Sequence, residues 1–231
     1  MGRAEQNFSL KADCFGILYT MRIIAGSKRG MKLLSPKTAA SRPITDRVKE
    51  SLFSVLFKYD LPSAKLVADL FCGVGSLGLE ALSRGAEFVT FVEQDPKIAA
   101  ILDRNIEKAG FVKESKVIRA NAFKIGAPVE KKIENRNLSS NVAKESEIEI
   151  SMYDLVFVDP PYASTKNVQV DSPLGKLLYL LNEQVAPDCV IVVRTNRSSF
   201  LLEQYGRLQV IERRQWGTMA ITILQGQISD K

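Results

Sequence analysis

The sequence predicts an α/β fold, a mainly parallel sheet with helices on both faces and an antiparallel hairpin at one edge. Three observations predict it. From Lys65 onward short apolar runs alternate with helical patterns, and a glycine-rich turn follows the first run. The last two runs, "LQVIERR" and "MAITIL", stand a few residues apart and can pair antiparallel. Strand–helix alternation covers both faces of a sheet, and such sheets hold ligands at the carboxyl ends of their strands.

Taken in order, "LVADLF" (66–71) is a buried strand, followed by a glycine turn and a helix through "LGLEALSRG" that stops at Gly85. "FVTFVE" (88–93) is the second strand. The next helix starts near Pro96, a good first-turn residue, and ends at Gly110, a C-terminal cap. "KVIRA" (116–120), "LVFVD" (155–159) and "CVIVVRT" (189–195) follow as strands, with a helix around "LGKLLYLLNEQ" before the last. Residues 126–152 are polar and charged, which predicts a surface insertion, largely mobile, with a short helix. Before the sheet, "DRVKESLFSVLFKY" places Val48, Leu52, Phe53 and Leu56 at helical spacing behind Thr45 as N-cap. The expected division is a poorly ordered extension over 1–20, a basic segment with a helix over 21–65, and the main domain over 66–231. Residues 1–20 lack targeting character, and translation is expected to begin at Met21.

No apolar run approaches the ~20 residues of a membrane span, so a cytoplasmic protein is expected. Cys14, Cys72 and Cys189 form no CxxC pair, and histidine is absent, which removes the commonest metal ligand and the commonest general base; no metal is expected. Charge is unevenly spread. Residues 1–65 hold 12 Lys/Arg against 5 Asp/Glu, whereas the remainder holds 20 against 21. Arg22, Lys28, Arg29, Lys32, Lys37, Arg42, Arg47 and Lys49 face a single acid, Asp46, within that segment. Such a local surplus points to a polyanionic partner.

Gly73, Gly75 and Gly78 form G-x-G-x-x-G between a strand and a helix, and Glu93 ends the next strand. That is the arrangement for a nucleoside-containing ligand, with the acid on the ribose hydroxyls. Asp69, just before the loop, would oppose a diphosphate but suits a cationic cofactor such as S-adenosyl-L-methionine; the competing reading makes it a helix-capping acid. The fourth strand ends in Asp159-Pro160-Pro161-Tyr162. An exocyclic amine on a nucleobase is a poor nucleophile because its lone pair is delocalised. The Asp159 carboxylate and the Pro160 carbonyl can accept its N–H bonds, the prolines hold that geometry in advance, and Tyr162 can stack on a base swung out of its own stack.

"DLFCGVGSLGLEALSRGA", "FVEQD", "ANAF" and "DPPY", in this order, resemble the amino-methylating class I S-adenosylmethionine-dependent methyltransferases. "MRIIAGSKRGMKL" followed by "RPITDRVKESLF" narrows the resemblance to the bacterial 16S ribosomal RNA guanine-N2 methyltransferase family. The resemblance implies a Rossmann-like sheet of seven strands. It implies that Asp69, Phe71, Gly73, Gly75, Glu93, Gln94, Asn121 and Ala122 surround the cofactor, and that Asp159, Pro160, Pro161 and Tyr162 form the target-base pocket. With the charge surplus, it makes Arg22, Lys28, Arg29, Lys32, Arg42 and Arg47 the RNA-contacting residues of a monomer acting on ribosomal RNA or the assembling small subunit. Ile44 stands where the family tends to have a second threonine. Two other readings stay open: a DNA adenine-N6 methyltransferase, and a nicotinamide-dependent dehydrogenase using the glycine loop. A cytosine-C5 enzyme would need a cysteine in the pocket, and neither Cys72 nor Cys189 is expected there.

Overall fold

The cores of the strands are runs of β-branched and aromatic residues, and they assemble into one eight-stranded sheet in a computed structural model that describes residues 21–36, 44–128, 130–133 and 148–227. Residues 1–20, Lys37 and Arg42, for which the sequence raised expectations, lie outside these. In chain order the strands are β1 (Leu66–Leu70), β2 (Phe88–Val92), β3 (Ser115–Ile118), β4 (Glu130–Ile133), β5 (Ile148–Ser151), β6 (Tyr153–Val158), β7 (Val185–Asn196), β8 (Gln204–Tyr205), β9 (Leu208–Trp216) and β10 (Met219–Gly226). The main sheet runs β3-β2-β1-β6-β7-β10-β9-β8, parallel from β3 through β7 and antiparallel beyond. The eighth strand, absent from the expected seven, is the two-residue β8, which pairs with β9 around Gly206 and is too short to carry a periodic signal.

Helices α1 (Asp46–Leu56), α2 (Ser76–Ser83) and α3 (Pro96–Ala109) pack on one face, and α4 (Ala122–Ile125) and α5 (Pro173–Leu181) on the other. Their ends follow the local chemistry. Thr45 caps α1 through Val48 N–H, Asp95 caps α3 ahead of Pro96, and Gly110 closes α3 in the left-handed conformation. The first face buries Leu52, Phe53, Phe91, Leu102 and Phe157; the second buries Val156, Leu177, Ile191 and Tyr205.

The described residues of the polar insertion include two strands that its polarity did not predict. Its described parts, β4 and β5, pair antiparallel as a separate ribbon, Glu130 opposite Ser151 and Ile133 opposite Ile148, and no helix lies among them. The alternation in "IEIS" is a strand signal that the overall polarity of the segment masks.

Candidate active site

Strand order reverses at β1, which pairs with β2 on one side and β6 on the other. Leu70 is level with both Val92 and Val158, so the next residues, Phe71, Glu93 and Asp159, leave the sheet together at its carboxyl edge. A cavity of about 890 Å³ opens there. Of the residues expected around a cofactor, Asp69, Phe71, Gly73, Glu93, Gln94 and Ala122 line it. Gly75 and Asn121 do not. Gly75 sits behind the wall as N-cap of α2 with φ +86°, and the Asn121 side chain is turned to cap α4 through Phe123 N–H at 2.9 Å. Their contribution is to the backbone that shapes the wall.

The loop between β1 and α2 is held by close contacts. A Cβ on Gly78 would overlap the Phe91 ring, so only glycine lets α2 lie this near the sheet. Phe71 takes a left-handed φ of +59°, unusual for a bulky residue, and its ring packs on Phe123 at 4.6 Å between centroids. Glu93 accepts from Gly73 N–H at 3.0 Å and from Asp95 N–H at 2.8 Å, one bond on each oxygen. Each oxygen keeps a lone pair for a further donor. Asp69, 1% exposed, accepts from Gly78 N–H in the first turn of α2 at 2.8 Å. It therefore does cap a helix, the reading ranked second from the sequence, while also lining the cavity. Burial, with Asp159 and Glu93 adding negative charge, pushes its carboxyl up to about 8 against the pull of the Gly78 bond. Cys72, contrary to expectation, also lines the cavity. Burial raises its thiol well above the ordinary value, so it stays neutral and unsuited to nucleophilic attack.

Opposite stand Asp159, Pro160, Pro161 and Tyr162, all on the cavity wall. Asp159 N–H bonds the Leu70 carbonyl at 3.3 Å, which fixes the start of the turn to β1. Its carboxylate lies 2.6 Å from Nε of Arg194, whose guanidinium sits 5.8 Å from the Tyr162 ring centroid. Burial raises the Asp159 carboxyl and Arg194 opposes that rise.

A family profile described as Conserved hypothetical protein 95 matches residues 21–225. The chain belongs to that family. A Haemophilus influenzae relative named ribosomal RNA small subunit methyltransferase D is 34% identical over 182 residues, which span 79% of this chain and 82% of that one. A Bacillus subtilis relative named "Putative rRNA methyltransferase YlbH" is 32% identical over 205 residues, 88% of this chain and 97% of its own. The solved structure described as "Putative methyltransferase yhhF from Escherichia coli" matches with a TM-score of 0.69 at 26% identity, over 90% of this chain and 98% of that one. The architecture is that of the class I methyltransferases, a class whose donor is S-adenosylmethionine.

The cavity suits that donor. Its cofactor side offers the carboxyls of Asp69 and Glu93 to cationic and hydroxyl groups, and Phe71, Val92, Ile98 and Ala122 to a flat apolar ring. Among its described lining residues Arg194 is the one Lys or Arg, so no cluster of cations awaits a diphosphate.

The amino-terminal segment completes the wall with Met21, Pro36 and Ile44. A buried polar hub docks it. Glu80 of α2, 0% exposed, accepts from Ile24 N–H at 2.8 Å and Ala25 N–H at 3.0 Å, and pairs with Lys49 and Arg84. Lys49, 1% exposed, donates to the Arg22 carbonyl at 2.6 Å. Its place in the basic run is therefore structural: burial lowers its pKa, with Glu80 resisting, and it offers nothing to an external anion. Asn105 of α3 bonds both polar groups of the Leu34 backbone and the Val74 carbonyl of the glycine loop. The remaining basic candidates divide. Arg29, Lys32 and Arg47 are exposed. Arg22 pairs with Asp46 at 2.7 Å, and Lys28 lies 5.6 Å from the centre of the Phe111 ring.

Sequence reasoning missed Arg194, Asn196 and Thr218, which close the far side of the cavity. The available signal was a lone arginine ending the apolar run "VIVV".

Proposed function

We propose that the protein transfers the methyl group of S-adenosylmethionine to the exocyclic N2 amine of a guanine in small-subunit ribosomal RNA. The observation that carries the reading is the meeting, in one cavity, of a cofactor wall built on Glu93 and Gly73 and an amine-accepting turn built on Asp159 and Pro160. The names of the relatives support ribosomal RNA as the substrate class.

Bound S-adenosylmethionine supplies an electrophilic methyl group on a sulfonium, so no strong general base is required. The chain supplies position and charge. Asp159 and the Pro160 carbonyl accept the two N–H bonds of the amine and draw its lone pair out of conjugation. The freed lone pair would attack the methyl group, whose bond to sulfur would break with its electrons left on the sulfur, and the Asp159 carboxylate takes the one proton that leaves the nitrogen. Tyr162 stacks on the displaced base. Arg29, Lys32 and Arg47, exposed on the amino-terminal segment and α1, contact backbone phosphates.

The test offers ribosomal RNA, assembling small subunits and duplex DNA with labelled donor and identifies the product nucleoside. N2-methylguanine from either ribosomal substrate is expected; N6-methyladenine from DNA would overturn the reading. In parallel, Arg29, Lys32 and Arg47 changed together to Glu should weaken RNA binding and flatten its salt dependence by about 0.7–0.9 in log–log slope per lost contact. Cofactor affinity should stay unchanged.

A further inference from the structure

We propose that Arg194 is the positioning residue of the methyl-acceptor wall, holding Asp159 as an ionised acceptor in one orientation beside the ring of Tyr162. The inference rests on the reading of Asp159 given above.

The sheet register creates the pair. Val158 of β6 is level with Val193 of β7, so Asp159 and Arg194 are the next residues on adjacent parallel strands. Both follow Phe157 and Val192 in the alternation and so point to the face that carries α1 to α3. Their side chains are 20% and 12% exposed, enough to reach the cavity but sheltered from bulk water. Within the described lining, Arg194 is the one cation among four acids: Asp69, Glu93, Asp95 and Asp159.

Charge decides what Asp159 can do. An ionised carboxylate only accepts hydrogen bonds, as an amine N–H requires; a protonated one also donates. Burial favours the protonated form of Asp159, and Asp69, on the neighbouring strand, is close enough for the two carboxyls to repel when both are charged. Of the described groups facing Asp159, Asp69 comes from β1, Tyr162 from the following turn and Arg194 from β7; among these described groups Arg194 is the one that brings positive charge. An ion pair kept only for stability is replaceable by apolar residues at little cost. This one ends an apolar strand at the cavity wall, with its guanidinium over the pocket's aromatic ring, where orientation of the carboxylate has a use.

The experiment measures methyl transfer to the ribosomal substrate from about pH 6 to pH 9 for the wild type, Arg194→Gln and Arg194→Lys, with cofactor binding by calorimetry and a thermal melt for each. Removing the cation lets the Asp159 pKa rise, so the acid limb of the Arg194→Gln profile should move up by about 1–3 on the pH scale, the effect of a neighbouring arginine on a carboxyl. Near neutrality kcat should fall about 10-fold or more, recover in part at the alkaline end, and leave cofactor affinity unchanged. Arg194→Lys should keep the wild-type acid limb at a lower kcat, because it keeps the charge and loses the planar fork. It also carries the test if the glutamine variant does not fold. An Arg194→Gln profile parallel to the wild type, a faster Arg194→Gln enzyme, or an Arg194→Lys enzyme with a displaced acid limb or a wild-type kcat would overturn the inference alone. A folded wild type that methylates no guanine in either ribosomal substrate would sink the functional reading, and this inference with it.

Discussion

The two walls of the cavity hold their carboxylates by different means. On the cofactor wall the partners are main chain: Glu93 takes the N–H groups of Gly73 and Asp95, and Asp69 takes that of Gly78. On the acceptor wall the carboxylate of Asp159 is held by a side chain, Arg194, from a strand 35 residues away in sequence. Main-chain donors are removed by substitution only where proline replaces the residue, and their positions are set by the β1–α2 and β2–α3 loops. A side-chain partner can be exchanged, which leaves the acceptor wall open to tuning by single residues. On the function proposed above, the first wall holds the methyl donor and the second sets the substrate chemistry.

The sharpest way to break this contrast is to remove one carboxylate from each wall. Asp159→Ala should lower methyl transfer by about 10²–10³-fold, the scale of a lost preorganised electrostatic contact, while calorimetry finds cofactor binding intact. Glu93→Ala should act first on binding, weakening the cofactor about 10- to 100-fold, as expected for a lost charged hydrogen bond of about 1.5–3 kcal/mol. If Asp159→Ala weakened cofactor binding more than Glu93→Ala does, the assignment of the walls would be wrong.

A steric change sharpens the comparison further. Gly78→Ala pushes a methyl group into the Phe91 ring and displaces the helix start that supports Asp69. It should cost about 1–3 kcal/mol in a denaturant melt and raise the KM for the cofactor while leaving that for RNA near wild type. Equal effects on both substrates would mean that the walls are coupled through α2.

The last effect concerns a single proton. The Asp69 carboxyl, raised to about 8, stays protonated in the folded protein at neutral pH, whereas the unfolded chain has lost that proton above about 4. Within this window the folded state binds more protons, so ligand-free stability should fall as pH rises from about 4 to 8. Asp69→Asn should flatten that slope in melts across the pH range. A cationic cofactor favours the ionised form, so binding near pH 7 should release up to one proton from the wild type and none from Asp69→Asn. Calorimetry in buffers of different ionisation enthalpy reads it directly.

Local spacing made part of this molecule legible. The glycine loop, Pro96 and Gly110 as the ends of α3, the helix behind Thr45 and the Asp-Pro-Pro-Tyr turn are each written within a few consecutive residues, because they are produced by backbone preferences and near-neighbour hydrogen bonds. Glu93 was legible for the related reason that a βαβ unit returns to the same sheet edge after a nearly fixed length. Three features were decided only by tertiary structure. Lys49 reads as one more cation of a basic run, yet it is buried against Glu80 because α1 turns that face inward. Gly75 and Asn121 match the motif but stand behind the wall, since side-chain caps and backbone turns decide which atoms reach the cavity. Arg194 becomes the partner of Asp159 only when β6 and β7 pair in register, a contact that no local pattern encodes. The sequence by itself determined the fold class and the positions of the two carboxylate-bearing loops. Long-range packing determined their charge and orientation, because burial and the approach of opposite charge are properties of the assembled sheet.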